Sequence, residues 1–180
     1  FLVPTGDLSL VGVCTSADGK DATYLASVTE AGALSDHVAI PSGTRIDSDQ
    51  MREKVINFLM TTRPSAVVVG ISGGFTSRML TRKLGEIVAE AVERWNNRLI
   101  QGQDEDEEEF ETRAAQFRRI HPNYDLDDDE PWKCNVDLVD DSVPQLFGRS
   151  VRSKKEFADM EVNLKCAIAI ARHAKDPLSE

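Results

Sequence analysis

The sequence predicts a single α/β domain built on a mixed five-stranded sheet flanked by helices. Three observations carry that expectation. Residues 8–14, 22–29 and 34–40 are short runs of strand-forming residues separated by Asp18-Gly19 and Ala31-Gly32, which reads as a three-stranded meander. The period then changes to that of a helix, with Met51, Val55, Phe58 and Leu59 on one stripe. Finally, Ala66-Val67-Val68-Val69 is a continuous, mostly β-branched run followed by Gly70, Gly73 and Gly74 and a long amphipathic stretch. Strand, glycine turn and helix form the half-unit of an α/β domain, whose ligands sit beyond the carboxyl ends of the strands.

Each element has a local reason. Asp47 or Ser48 can cap the first helix, with Gln50 three residues after Asp47 as in a capping box. Arg63-Pro64 ends it, because a residue before proline is pushed out of the α region. After the glycine turn, Thr76 or Ser77 can cap a helix whose apolar stripe runs through Phe75, Met79, Leu80, Leu84, Ile87, Val88, Ala91, Val92 and Trp95. Residues 134–139 read as a fifth strand, and Asp140-Asp141-Ser142 as the start of a short helix through Pro144, Leu146 and Phe147. Residues 150–159 are polar and basic. A last helix carries Met160, Leu164, Ala167, Ile168 and Ala171 inward and ends at Asp176-Pro177.

Charge is concentrated in one segment. Residues 101–132 hold twelve acids against three bases and so contribute −9 of the net −10. The like-charge run Asp104 to Glu109 has no apolar face, which predicts a solvated, mobile insertion before the fifth strand, with a short helix around Phe110, Phe117 and Ile120. Residues 125–130 lack the glycine and distant glutamate of a calcium loop. The near-neutral remainder has no basic footprint of a dedicated nucleic-acid binder. Arg149, Arg152, Lys154 and Lys155 allow weak nucleic-acid contact at most.

Cys14, Cys134 and Cys166 are widely spaced among apolar neighbours, as are His37, His121 and His173, so buried free thiols are expected and zinc is not. No apolar run approaches the ~18 residues of a membrane span, and Phe1-Leu2-Val3-Pro4 has no signal-peptide character. The missing initiator Met and the abrupt stop at Glu180 lead us to expect a domain cut from a larger protein.

Local stretches carry a family resemblance. Leu10-Val11-Gly12-Val13-Cys14-Thr15-Ser16 resembles the first strand of YqgF and RuvC-type resolvases, where the Cys14 position is normally aspartate. Residues 66–74 resemble their fourth strand and turn. Val136-Asp137-Leu138-Val139-Asp140-Asp141-Ser142 resembles the YqgF fifth strand, which ends in an Asp-Glu pair. More narrowly, residues 136–143, Arg152-Ser153-Lys154-Lys155-Glu156-Phe157, and Ile170-Ala171-Arg172 through Asp176-Pro177-Leu178 are similar to the YqgF-like domain of the Suppressor-of-Ty-six and Tex family of transcription elongation factors.

The resemblance implies a ribonuclease H-like fold in βββαβαβα order. It also implies a nuclear parent protein that travels with RNA polymerase II and handles histones and nucleosomes. Nucleases of this superfamily hold two divalent metals with carboxylates from the first strand, the fourth strand and a late helix. Here the first two positions are Cys14 and Gly70, and only Asp140 and Asp141 remain, with Glu161 and Asn163 on the late helix. The expectation is an interaction or scaffold domain without catalysis, metal, cofactor or small-molecule substrate. Two alternatives stay open: a metal-dependent resolvase-like or RNA-processing nuclease, and a phosphate or nucleotide binder using Gly70 to Gly74 as an anion nest. For Asp140 and Asp141, helix N-capping competes with residual metal binding. For the acidic segment, a solvated loop competes with attraction to histones.

Overall fold

The structure is a computed structural model that describes residues 9–98, 104–120 and 131–176. The readings made for residues 1–4, for 125–130 and for Pro177-Leu178 lie outside the described residues. Strands β1 (Leu10–Cys14), β2 (Thr23–Val28) and β3 (Leu34–Ile40) form the expected antiparallel meander. Strands β4 (Ala66–Gly70) and β5 (Asn135–Val139) extend it in parallel on the other side of β1, so the order is β3-β2-β1-β4-β5. Val13 pairs with Val69, and Gly70 with Val139. The carboxyl ends of β1, β4 and β5 therefore emerge along one edge.

Helices cover both faces. Helices α1 (Asp49–Thr62) and α2 (Phe75–Asn96) pack Val55, Ile56, Leu59, Leu84 and Ile87 on the side chains of Val11, Val13, Leu25, Val67 and Val69. The opposite face is covered by α6 (Val162–Lys175), through Ala167, Ile168, Ile170 and Ala171 on Leu10, Cys14, Ala26 and Val68. Strand side chains alternate between these layers, as the period of two requires. β4 is buried at every position because both layers close over it.

Several local expectations are corrected. The α2 helix begins at Phe75 with Gly74 at its N-cap, and neither Thr76 nor Ser77 caps it. Gly74 turns there with φ 60° and ψ −122°, a conformation open mainly to glycine. Phe75 points outward, 77% exposed, because it precedes the turn at which the apolar stripe meets the sheet. The capping box at α1 does not form, since Asp47 spends its carboxylate on Arg45 and Lys83. Residues Val151–Glu156 form helix α5, following α4 (Ser142–Arg149), where the sequence reading gave only a polar stretch.

The described part of the acidic segment is also structured. Helix α3 (Glu107–Ile120) starts inside the acidic run, where Glu107, Glu108 and Glu109 face the positive end of the helix dipole. It docks by Phe117, whose ring lies 5.2 Å from that of Trp95, and by the buried Ala114. Arg113 reaches back to Glu105 at 2.8 Å. Trp132 returns the chain to the sheet, bonded to Asn96 through both backbone groups and to the Pro64 carbonyl through its indole N–H at 2.8 Å.

Candidate functional site

The edge formed by the carboxyl ends of β1, β4 and β5 brings together three of the predicted positions. Cys14 closes β1, Gly70 closes β4, and Asp141 follows β5 as the N-cap residue of α4. Asp140 stands beside them but points to solvent.

Asp141 is the centre of this cluster. It is 1% exposed, and its carboxylate gives α4 no side-chain cap. Instead Oδ1 accepts the backbone N–H of Ser72 at 2.9 Å, while Oδ2 accepts the Ser72 hydroxyl at 2.6 Å and the Gln145 carboxamide N–H at 2.9 Å. A buried carboxylate needs such donors, and these three leave little of its accepting capacity free. Capping of α4 falls to Asp140 instead. Its Oδ1 accepts the Ser142 N–H at 2.8 Å and the Ser142 hydroxyl at 2.5 Å, which hold the Asp140 carboxyl below the usual carboxylate range. Of the two predicted acids, one ties β5 to the β4 turn and the other starts a helix.

Gly70 acquires its meaning from the same contact. A Cβ at this position would overlap the Asp141 carboxylate and come within 2.9 Å of the Ile170 methyl. The carboxylate thus fills the space a side chain at 70 would need, and an acid on the fourth strand has no room there. The other turn glycine, Gly73, is pressed against Ser77 and Thr15, and the Ser77 hydroxyl donates to the Gly70 carbonyl at 2.6 Å. The glycine turn is shaped by packing on all sides.

Cys14 looks into the α6 layer. Its sulfur accepts from Gln145 Nε2 at 3.5 Å, and its thiol lies 3.9 Å from the Asn163 carboxamide oxygen. Cys166, on α6, donates to the other end of the same Gln145 carboxamide at 3.6 Å. Hydrogen bonding with Cys166, together with burial, pushes the Cys14 thiol far above the ordinary cysteine range, so it is a neutral thiol at pH 7. The same contact lowers Cys166, helped by Arg149, whose guanidinium also holds the Gln145 carboxamide at 3.2 Å. Cys134, by contrast, sits at the start of β5 away from this edge, and burial pushes it up to about 12.

The arrangement fits a pair of divalent hard cations poorly. Such ions take several oxygen ligands from converging carboxylates. Here β1 supplies a buried neutral thiol, β4 supplies no side chain, and Asp141 is already engaged. Among the described residues, no three or more His, Cys, Asp or Glu side chains converge as a metal-holding group. Glu161 serves as N-cap residue of α6, while the Asn163 carboxamide N–H donates to the Ala22 carbonyl at 2.9 Å.

The sequence reading did not single out Ser72 or Gln145, the residues that organise the cluster. Gln145 carried a usable signal, since it lies one helical turn after Asp141 and so shares its face of α4. Ser72 carried none, because its partner is 69 residues away. No protein-family model matches this chain, and a comparison with curated proteins found no match.

Proposed function

We propose that this chain is a catalytically silent ribonuclease H-like domain of the YqgF type, serving as an interaction scaffold in a transcription elongation factor of the Suppressor-of-Ty-six and Tex family. The strand order and the meander-then-crossover layout support the fold assignment. The resemblances at residues 10–16, 136–143 and 152–157 support the family. On this reading the parent protein is nuclear, and its partners are the RNA polymerase II elongation complex and histones.

One observation carries the loss of catalysis. At the edge where the superfamily assembles its metal carboxylates, Cys14 is a buried thiol, and the Gly70 position is filled by an Asp141 carboxylate already bonded to Ser72 and Gln145. Incubation of the purified chain with Mg²⁺ or Mn²⁺ and branched or linear nucleic acid tests this directly. The expected result is no cleavage above a no-protein control. Cleavage that disappears in Asp140→Asn or Asp141→Asn would establish the nuclease instead. The partner assignment has its own measurement. Full-length parent protein immunoprecipitated from nuclei should bring down RNA polymerase II and histones, and recovery of neither removes the family reading.

A further inference from the structure

Beside the Asp141 cluster, the same edge carries an apolar surface that the fold leaves open. Ile71 and Phe75 stand at the β4 turn, 44% and 77% exposed, and Val143 and Leu146 stand on α4, 44% and 73% exposed. Hydrogen bonds bring the β4 turn and α4, the two elements that carry these pairs, together at this edge. Ser72, next to Ile71, bonds Asp141 and Gln145, which are two residues before Val143 and one before Leu146. Large apolar side chains presented together in this way mark an interaction surface more often than chance exposure does.

The surroundings say what would cover it. Arg78 follows Phe75 at helical spacing and Arg149 follows Leu146 in the same way, and Arg82 lies one further turn along α2, all three exposed. Arg78 and Arg82 form no ion pair among the described residues. The two carboxylates between the apolar pairs are engaged within the fold: Asp141 by Ser72 and Gln145, and Asp140 by Ser142. A second copy of the chain is a poor occupant, since two such faces brought together would oppose like charges. An acidic partner with apolar anchors meets both the arginines and the apolar rows.

We propose that this surface binds an acidic segment of a partner protein that folds as a helix and presents leucine or phenylalanine side chains at helical spacing. The mode is a helix laid on an apolar surface, with charge setting orientation and encounter rate. It goes beyond the scaffold reading by naming the surface and the chemistry of its partner. It does not depend on that reading, since cleavage of nucleic acid by the chain would overturn the scaffold and leave this surface in place.

The probe is a labelled synthetic peptide with Leu at positions i, i+3, i+4 and i+7 and glutamates between them, titrated with the 180-residue chain by fluorescence anisotropy. A second peptide replaces the glutamates by lysines. The acidic peptide should bind and the lysine peptide should not. Affinity should fall by about tenfold or more in Phe75→Glu and in Leu146→Glu, the loss typical of a central anchor. Arg78→Glu combined with Arg82→Glu should weaken binding and flatten its salt dependence. Ser35→Glu, on β3 at the opposite end of the sheet, should leave affinity within about twofold, as expected of a site outside the contact. All altered side chains are exposed, and unchanged melting by circular dichroism confirms that each variant folds. Absent binding, equal binding of the lysine peptide, or affinity indifferent to Phe75→Glu and Leu146→Glu overturns the proposal. So does concentration-dependent dimerisation that Leu146→Glu abolishes, which would make a second copy the occupant.

Discussion

The two faces of the sheet are packed by different means. Toward α1 and α2 the layer is filled by large branched side chains, with Leu59, Leu84 and Ile87 inserted between the valines of β1 and β4. Toward α6 it is filled by closeness. Gly12, Ala26, Ala167 and Ala171 bring helix and strand so near that a Cβ at Gly12 would overlap the Ala167 carbonyl oxygen and stand 2.7 Å from the Ala171 nitrogen. A branched-chain layer can relax around a lost methyl group, whereas a backbone-to-backbone contact cannot yield to an added one. The polar cluster of Asp141, Gln145, Cys14 and Cys166 lies at the end of the close face, where α6 has no freedom to move away.

The sharpest test sets one methyl group on each face against the other. Gly12→Ala should destabilise by about 3 kcal/mol or more, because the clash is with backbone atoms. Ile87→Val, which removes one methyl from the opposite layer, should cost about 1 kcal/mol. Urea unfolding of both variants gives the numbers, and equal losses would abolish the distinction between the faces.

A smaller effect is expected at the polar end of the close face. Asp141→Ala strands the Ser72 N–H and hydroxyl and the Gln145 carboxamide, at a cost of about 2 kcal/mol. Gly70→Ala should be destabilising for the opposite reason, since its methyl meets the Asp141 carboxylate. Because the two changes relieve each other, the double variant should be more stable than the sum of the single losses by about 1 kcal/mol. Additive losses in a double-mutant cycle would show that the carboxylate and the Gly70 position do not share one space.

What was legible in the sequence follows the same division. Ala66-Val67-Val68-Val69 announced a strand buried on both faces, and the α1 and α6 stripes announced their helices, because burial by large side chains leaves a periodic trace. The short helix α5 left none. Its one buried side chain is Ser153, whose hydroxyl donates to the Gly148 and Ser150 carbonyls at 3.1 and 3.0 Å while Ser150 accepts the Ser153 N–H. Helix α3 was half visible, since an acidic run reads as solvated until the tertiary partner Trp95 is known. The Asp141 contact was hidden because it depends on the β4–β5 register, which no local pattern encodes.

The acidic segment offers a comparison in its own right, since α3 is attached to the α1–α2 side by few side chains. Asn96 and Trp132 already meet, with a 3.1 Å bond between the Asn96 carboxamide and the Trp132 carbonyl, so the chain on either side of the segment is close. Deletion of residues 103–130 should therefore keep a single cooperative unfolding transition and lower stability by about 1–3 kcal/mol through loss of Phe117 and Ala114 contacts. A broad, non-cooperative transition would place α3 within the core of the fold.

The smallest expected effect concerns the solvated rim of the α1–α2 layer, where charge rather than packing joins the elements. Asp47 accepts from Arg45 at 3.0 and 2.9 Å and from Lys83, on α2, at 3.0 Å. These cations hold its carboxyl well below the usual carboxylate range. A carboxyl lowered by folding stabilises the folded state fully above its unfolded value of about 4. That contribution is lost as pH falls through the lower folded value. Asp47→Asn should thus melt slightly below the wild type at pH 6, and the gap should close as the pH is taken below about 3. Lys83→Met should reproduce part of the pH 6 difference, because it removes one of the two cations. A gap that persists unchanged to pH 2 would assign the effect of Asp47 to hydrogen bonds that survive protonation, and the rim would then resemble the Asp141 edge more than the comparison of faces allows.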